Sequence, residues 1–150
     1  MNRRREIRMS EAETADFLRA HRKAALATLD RDGFPHIVAM NYVVEDGAVL
    51  MTSYAKAQKV VNIRRNPRVG LMVETGEDYS ELRGVLIRGH CRIVEGEAAV
   101  LAVFAAMRVA RGDREGPREA AVAGAGKRVV LKIVPDKVTS WDHRKLAGGY

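Results

Sequence analysis

The apolar positions of this chain follow two periods, and short turn signals separate them. Ser10-Glu11-Ala12-Glu13 has the spacing of a capping box, with Ser10 as N-cap and Glu13 placed to return a hydrogen bond. A helix is predicted over residues 10–21, with Phe17 and Leu18 on a modest apolar face. Residues 24–29 and 34–44 are apolar runs on either side of Asp32-Gly33, and Asp46-Gly47 leads from the second run into residues 48–53. Asp-Gly between apolar runs signals a hairpin, because glycine tolerates positive φ. Two successive hairpins predict a three-stranded antiparallel meander.

Residues 56–65 read as a short helix that Asn66-Pro67 ends, since the residue before proline avoids the helical region. Residues 68–74 and 81–94 read as strands, the second carrying Gly84 and Gly89 as expected bulges or bends. The unbroken apolar run from Ala98 to Met107 places a helix over 97–111, expected to be buried nearly all round, in part against another subunit. Residues 112–126 read as a Gly- and Ala-rich loop with one helical turn. Residues 128–134 and 137–141 read as two strands separated by a turn at Pro135-Asp136. Six or seven strands joined mostly by hairpins, with few helices, predict a mainly β fold whose sheet hides its edges by closing toward a barrel. Residues 1–9, with Arg3, Arg4, Arg5 and Arg8, are expected to form a mobile basic arm, and residues 10–150 a single domain.

Composition narrows the class. The chain has 150 residues, 47% hydrophobic and 30% charged, an ordinary globular balance. Its longest apolar run is far short of the roughly 20 residues a bilayer span needs, and no apolar segment follows the basic start as a secretory signal requires. A cytoplasmic protein without a membrane partner is expected. The net charge of +7 suits an anionic ligand. Aromatic residues are only 5%, with no stacking segment or nucleic-acid fingerprint, so nucleic acid is not the expected partner.

The chemistry-bearing residues are few. His21, His36, His90 and His143 show no metal-ligand spacing, and no metal site is expected. His90 and the lone Cys91 are expected to be parts of a packed strand. Gly124-Ala125-Gly126-Lys127 fails the phosphate-loop pattern and reads as a turn. The segment from Thr52 to Lys59 is more informative. A strand ends in the hydroxyls of Thr52 and Ser53, and a helix begins among Lys56, Gln58 and Lys59. Free N–H groups, a positive dipole end and ammonium groups together suit a phosphate monoester. The same residues also suit a surface helix with solvated lysines. Trp141 and His143 near the C-terminus offer a stacking surface and a titratable group, and Trp141 equally suits a cap over the core.

These residues carry a resemblance. The run Lys59-Val60-Val61-Asn62-Ile63-Arg64-Arg65-Asn66-Pro67-Arg68-Val69 resembles a signature of the pyridoxamine 5′-phosphate oxidase-like split β-barrel proteins. Ala25-Leu26-Ala27-Thr28-Leu29 with Asp32-Gly33 and Pro35-His36 is similar to that family's opening hairpin, and Glu81-Leu82-Arg83-Gly84-Val85 to one of its strands. Ser140-Trp141-Asp142-His143-Arg144-Lys145-Leu146 resembles the end of a bacterial branch. The resemblance implies a homodimeric antiparallel split barrel of the FMN-binding type, with a flavin-type cofactor in a cleft between subunits. FMN and the deazaflavin coenzyme F-420 are both implied, and haem in a few relatives.

By that resemblance Thr52, Ser53, Lys56, Gln58 and Lys59 would hold the phosphate. The ring would lie along the backbone of Val38, Ala39, Met40 and Asn41. Trp141 and His143 would stand near cofactor or substrate, in the same or the partner subunit, with His143 as a conceivable proton donor. The implied activity is hydride transfer to or from a small conjugated molecule, with a non-catalytic flavin or haem carrier or sensor as the alternative. True pyridoxamine phosphate oxidases have a C-terminal extension this chain lacks, so that substrate is not expected.

Overall fold

The computed structural model describes residues 3–113 and 119–146. Seven strands form one antiparallel sheet: β1 (Lys23–Leu29), β2 (Pro35–Asn41), β3 (Val43–Glu45), β4 (Ala48–Tyr54), β5 (Arg68–Thr75), β6 (Arg83–Val94) and β7 (Arg128–Asp142). Their order across the sheet is β2-β1-β5-β6-β7-β4-β3. Among the described residues five α-helices accompany them: α1 (Arg3–Glu6), α2 (Glu11–Ala20), α3 (Gln58–Arg65), α4 (Glu97–Ala110) and α5 (Glu119–Ala125). No helix among the described residues is long and apolar enough to cross a membrane.

The two edge strands, β2 and β3, are consecutive in the chain and separated by Tyr42 alone. The sheet therefore curls until its edges approach, giving an incomplete barrel. Both predicted hairpins form, but not as a continuous meander. The predicted strand 34–44 breaks at Tyr42, and its halves go to opposite edges. Tyr42 is what makes the corner: its N–H donates to the Arg22 carbonyl at 2.9 Å, and its buried hydroxyl donates to the Leu18 carbonyl at 2.6 Å. Burial pushes the phenol above its ordinary range.

The core is built from the inner face of the sheet and from the two helices at the ends of β1. Leu26, Met51, Leu71, Ile87, Leu131 and Ile133 line the core. Helix α2, held by the predicted capping box of Ser10 and Glu13, contributes Phe17 and Leu18 at the start of β1. Helix α3 contributes Val60 and Ile63 at the other end of β1, where Arg65 also donates to the Leu29 carbonyl at 2.6 Å. A second cluster forms on the opposite face of β4 and β7, where Val100 and Val103 of α4 pack on Ala48, Leu50 and Val130.

Several expectations change. Within the single chain helix α4 buries one stripe, and Val109 is 76% exposed. The two predicted C-terminal strands are one strand, β7, paired along its length with β6. Pro135 and Asp136 occupy a bulge opposite the Arg88/Gly89 register shift, not a turn. Gly89 is the predicted irregularity, whereas Gly84 sits in regular ladder opposite Trp141. His90 is not packed inside: only Cys91 is buried, and His90 Nδ1 meets the Asp136 carboxylate at the surface. The basic arm holds a helical turn, α1, and the Ile7 carbonyl accepts from the Asp142 N–H at 2.6 Å. The C-terminal glycines Gly148 and Gly149 lie outside the described residues.

Candidate functional site

Strand β4 delivers the chain to α3 through the segment expected to hold phosphate. Neighbouring residues of a strand face opposite ways. Ser53 turns inward and is buried, while Thr52 faces the opposite side and is half-buried. Lys59, in the first turn of α3, reaches back so that its Nζ donates to Ser53 Oγ at 3.4 Å. The structure thus brings Lys59 and Ser53 together. Lys56 precedes the helix and is exposed.

The N-cap of α3 is Ala57, which has no side chain able to cap. The Val60 N–H donates to the Ala57 carbonyl at 2.9 Å, so the N–H groups of Gln58 and Lys59 are the ones that look outward for an acceptor, at the positive end of the helix dipole. Gln58 points its amide into the helix, its Nε2 donating to Asn62 Oδ1 at 2.8 Å. Asn62 Nδ2 in turn donates to Thr28 Oγ1 at 3.0 Å. Asn62 is fully buried, so this chain of amide and hydroxyl anchors the start of α3 to the end of β1.

Arg128 adds a cation that the sequence reading missed. It lies opposite Tyr54 in the β4–β7 ladder, with its guanidinium 4.0 Å from the Tyr54 ring centroid. The Lys127 carbonyl also accepts from the Ala55 N–H at 3.0 Å. The available signal was the failed phosphate-loop motif, expected as a turn: Gly124 and Ala125 instead end α5, and the turn at Gly126 and Lys127 brings Arg128 beside Tyr54.

Strand β2 is an edge strand, so one side of its backbone has no ladder partner. Val38 and Met40 pack against the core, while Ala39 and Asn41 face outward. The ladder registers continue that outer face across the sheet from Ala39 through Ala25, Met72 and Leu86 to Thr139. Ile37 is 64% exposed there, and Met72 and Leu86 are each 39% exposed.

Trp141 and His143 stand elsewhere. Thr52 pairs with Val130 near the start of β7, and Trp141 lies eleven residues further along the same strand. That is about 36 Å of strand path. The indole covers Gly84, where an added Cβ would come within 2.2 Å of Trp141 Cζ2. Close by, the His143 ring packs tilted against Tyr79, with ring centroids 4.4 Å apart and planes at 60°. Its Nδ1–H donates to the Tyr79 carbonyl at 2.9 Å, which leaves Nε2 as the other ring nitrogen. Asp142 accepts a bidentate contact from Arg144 at 2.9 and 2.7 Å. Hydrogen bonding by Arg144 holds the Asp142 carboxyl below its usual range.

An antiparallel sheet curled into an incomplete barrel, with an uncapped helix start after β4 and an unpaired edge strand β2, defines a split-barrel protein. Residues 10–142 match the pyridoxamine 5′-phosphate oxidase family, and the chain belongs to that family. Its structure is similar to that of a conserved hypothetical protein from Mycobacterium tuberculosis, 41% identical, with a TM-score of 0.85 over 97% of this chain and 92% of the other. It is similar in fold to an F420 reductase (23% identity, TM-score 0.69, 87% of this chain and 98% of the other). It is also similar in fold to a FAD-binding protein from Mesorhizobium loti (23% identity, TM-score 0.65, 88% of this chain and 94% of the other). No curated protein matches the chain.

Proposed function

We propose that this protein is an oxidoreductase that binds a flavin-type cofactor, FMN or the deazaflavin F-420, and works as a homodimer in the cytoplasm. The observation that carries the reading is the Lys59 ammonium held on Ser53 beside the uncapped start of α3. An ammonium, a hydroxyl and outward N–H groups form a donor set suited to a phosphate monoester. Lys56 and Arg128 add positive charge around it. The donor set fits the terminal phosphate of FMN, and its N–H and ammonium groups also suit the two non-bridging oxygens of the F-420 phosphodiester.

The bound cofactor would supply hydride transfer to or from a small conjugated substrate. The chain's own residues bind and orient. Lys59, Ser53 and the α3 N–H groups hold the phosphate, with Thr52, Lys56 and Gln58 around them. The unpaired edge of β2 from Val38 to Asn41 offers backbone donors and acceptors to a planar ring. Ala39 leaves space there for close approach.

Two features support a dimer. The outer face carrying Ile37, Ala39, Met72 and Leu86 is an apolar surface of the kind that marks an interaction site. Trp141 and His143 lie too far along β7 to join Lys59 of their own chain directly, so a second copy is the means of bringing them to the site. His143 Nε2 would then be the nitrogen available to a substrate proton.

Parallel fluorescence titrations with FMN and F-420 test the reading. Tight binding of at least one cofactor is expected, and Lys59→Ala weakens it at least tenfold, since a charge-assisted bond contributes about 1.5–3 kcal/mol. A native protein that binds neither cofactor, or an unchanged affinity in the variant, refutes this assignment.

A further inference from the structure

A sizeable cavity lies away from α3. It lies at the opposite end of the barrel, on the inner face of the sheet beneath α2, and measures about 880 Å³. Its floor is apolar and belongs to the core: Met9, Leu18, Val49 and Ile87. Val138 faces inward opposite Ile87 in the β6–β7 ladder and is nonetheless 40% exposed. The barrel is thus left unfilled at this end.

The mouth is cationic. Arg5, Arg8, Arg19 and Lys145 line it, against Glu11 and Glu13. Glu13 is already engaged, its Oε2 accepting from Lys145 Nζ at 2.7 Å and from the Ser10 N–H at 2.6 Å. Arg19 has only a long contact to Asp16 at 3.8 Å. Among the described residues, no carboxylate pairs with Arg5 or Arg8.

We infer that this cavity is a second binding site, separate from the cofactor site, for a small amphipathic carboxylate whose apolar body enters the barrel and whose anionic head meets Arg5 and Arg8. The volume falls in the range of small-molecule pockets, which combine apolar walls with a few polar groups that fix orientation. The charge balance at the mouth selects an anion over a neutral or cationic head.

Calorimetric titration of the full chain with decanoate tests the inference. Saturable binding at one site per chain is expected, with decanol at least tenfold weaker. Joint Arg5→Ala and Arg8→Ala substitution lowers decanoate affinity at least tenfold. Val138→Phe, which fills the cavity from a partly exposed position, abolishes binding, and thermal unfolding shows whether that variant is folded. The arginine pair is exposed, so its result stands even where Val138→Phe does not fold. Lys59→Ala leaves decanoate binding intact, which separates this site from the proposed cofactor site. Absence of saturable binding, indifference to the arginine substitutions, equal affinity for decanol, or loss of binding in Lys59→Ala each overturns the inference.

Discussion

Replacing Asn62 by leucine removes the acceptor of Gln58 and the donor to Thr28 while keeping the side-chain volume close. Gln58 is exposed and turns its amide to water. Thr28 is 2% exposed and cannot, so its hydroxyl loses its Asn62 partner inside the core. A buried polar group left unpaired costs about 1–3 kcal/mol. Thr28→Val alone is the mirror case, stranding the Asn62 amide at similar cost. Making both changes replaces the polar pair by two apolar side chains, which comes close to neutral. The double variant should therefore be more stable than the sum of the singles implies, by about 2 kcal/mol or more. Urea unfolding followed through Trp141, the only tryptophan, measures all four corners of the cycle. Additivity within about 0.5 kcal/mol would show that Asn62 and Thr28 act independently and refute the anchoring role given to them.

Three further outcomes follow from the geometry. Gly84→Ala drives a Cβ into the indole of Trp141, so it should shift the tryptophan emission and cost about 1–3 kcal/mol; an unchanged emission spectrum means that the indole does not rest there. Burial pushes the Cys91 thiol up to about 12, so on the order of one molecule in ten thousand carries the thiolate at pH 8. Iodoacetamide should label the native chain slowly and the urea-unfolded chain fast, and rapid native labelling contradicts the burial. The Asp142 carboxyl is depressed in the folded state by Arg144, so its stabilisation is present above the unfolded value near 3.9 and is lost as pH falls through the lower folded value. Asp142→Asn keeps an oxygen for the Arg144 N–H and should flatten the stability profile below about pH 4; an unaltered profile assigns the acid sensitivity to other carboxylates.

What the sequence makes legible is what short-range chemistry decides. The capping box at Ser10, the Asp-Gly turns and the Asn66-Pro67 stop each act over a few residues, and all three appear where expected. The break of the predicted strand 34–44 at Tyr42 has no such local cause. Residues on both sides are strand formers, and the corner depends on the Leu18 and Arg22 carbonyls, which α2 and β1 bring to Tyr42. Pro135 misled for a related reason. A proline next to an aspartate reads as a turn, yet at a bulge the missing N–H costs the ladder nothing, and β7 runs through.

The candidate site divides along the same line. Thr52 through Lys59 is contiguous, so its donor set can be read directly from residue types at a strand-to-helix junction. Arg128 and Thr28 join that region only through tertiary pairing, one across the β4–β7 ladder and one beneath α3; the glycine-rich stretch before Arg128 is the one local hint, and Thr28 carries none. Trp141 shows the limit most clearly. Its sequence neighbours suggest a site residue, but a strand of fifteen residues sets it at the far end of the barrel from Lys59. A strand cannot shorten to close that gap. If the tryptophan serves the cofactor, it does so across a two-fold axis, over the outer face where Ile37, Met72 and Leu86 are exposed. Under the proposed dimer, the apolar face and the displaced tryptophan have one explanation: each barrel would carry half of two sites, and pairing would complete both.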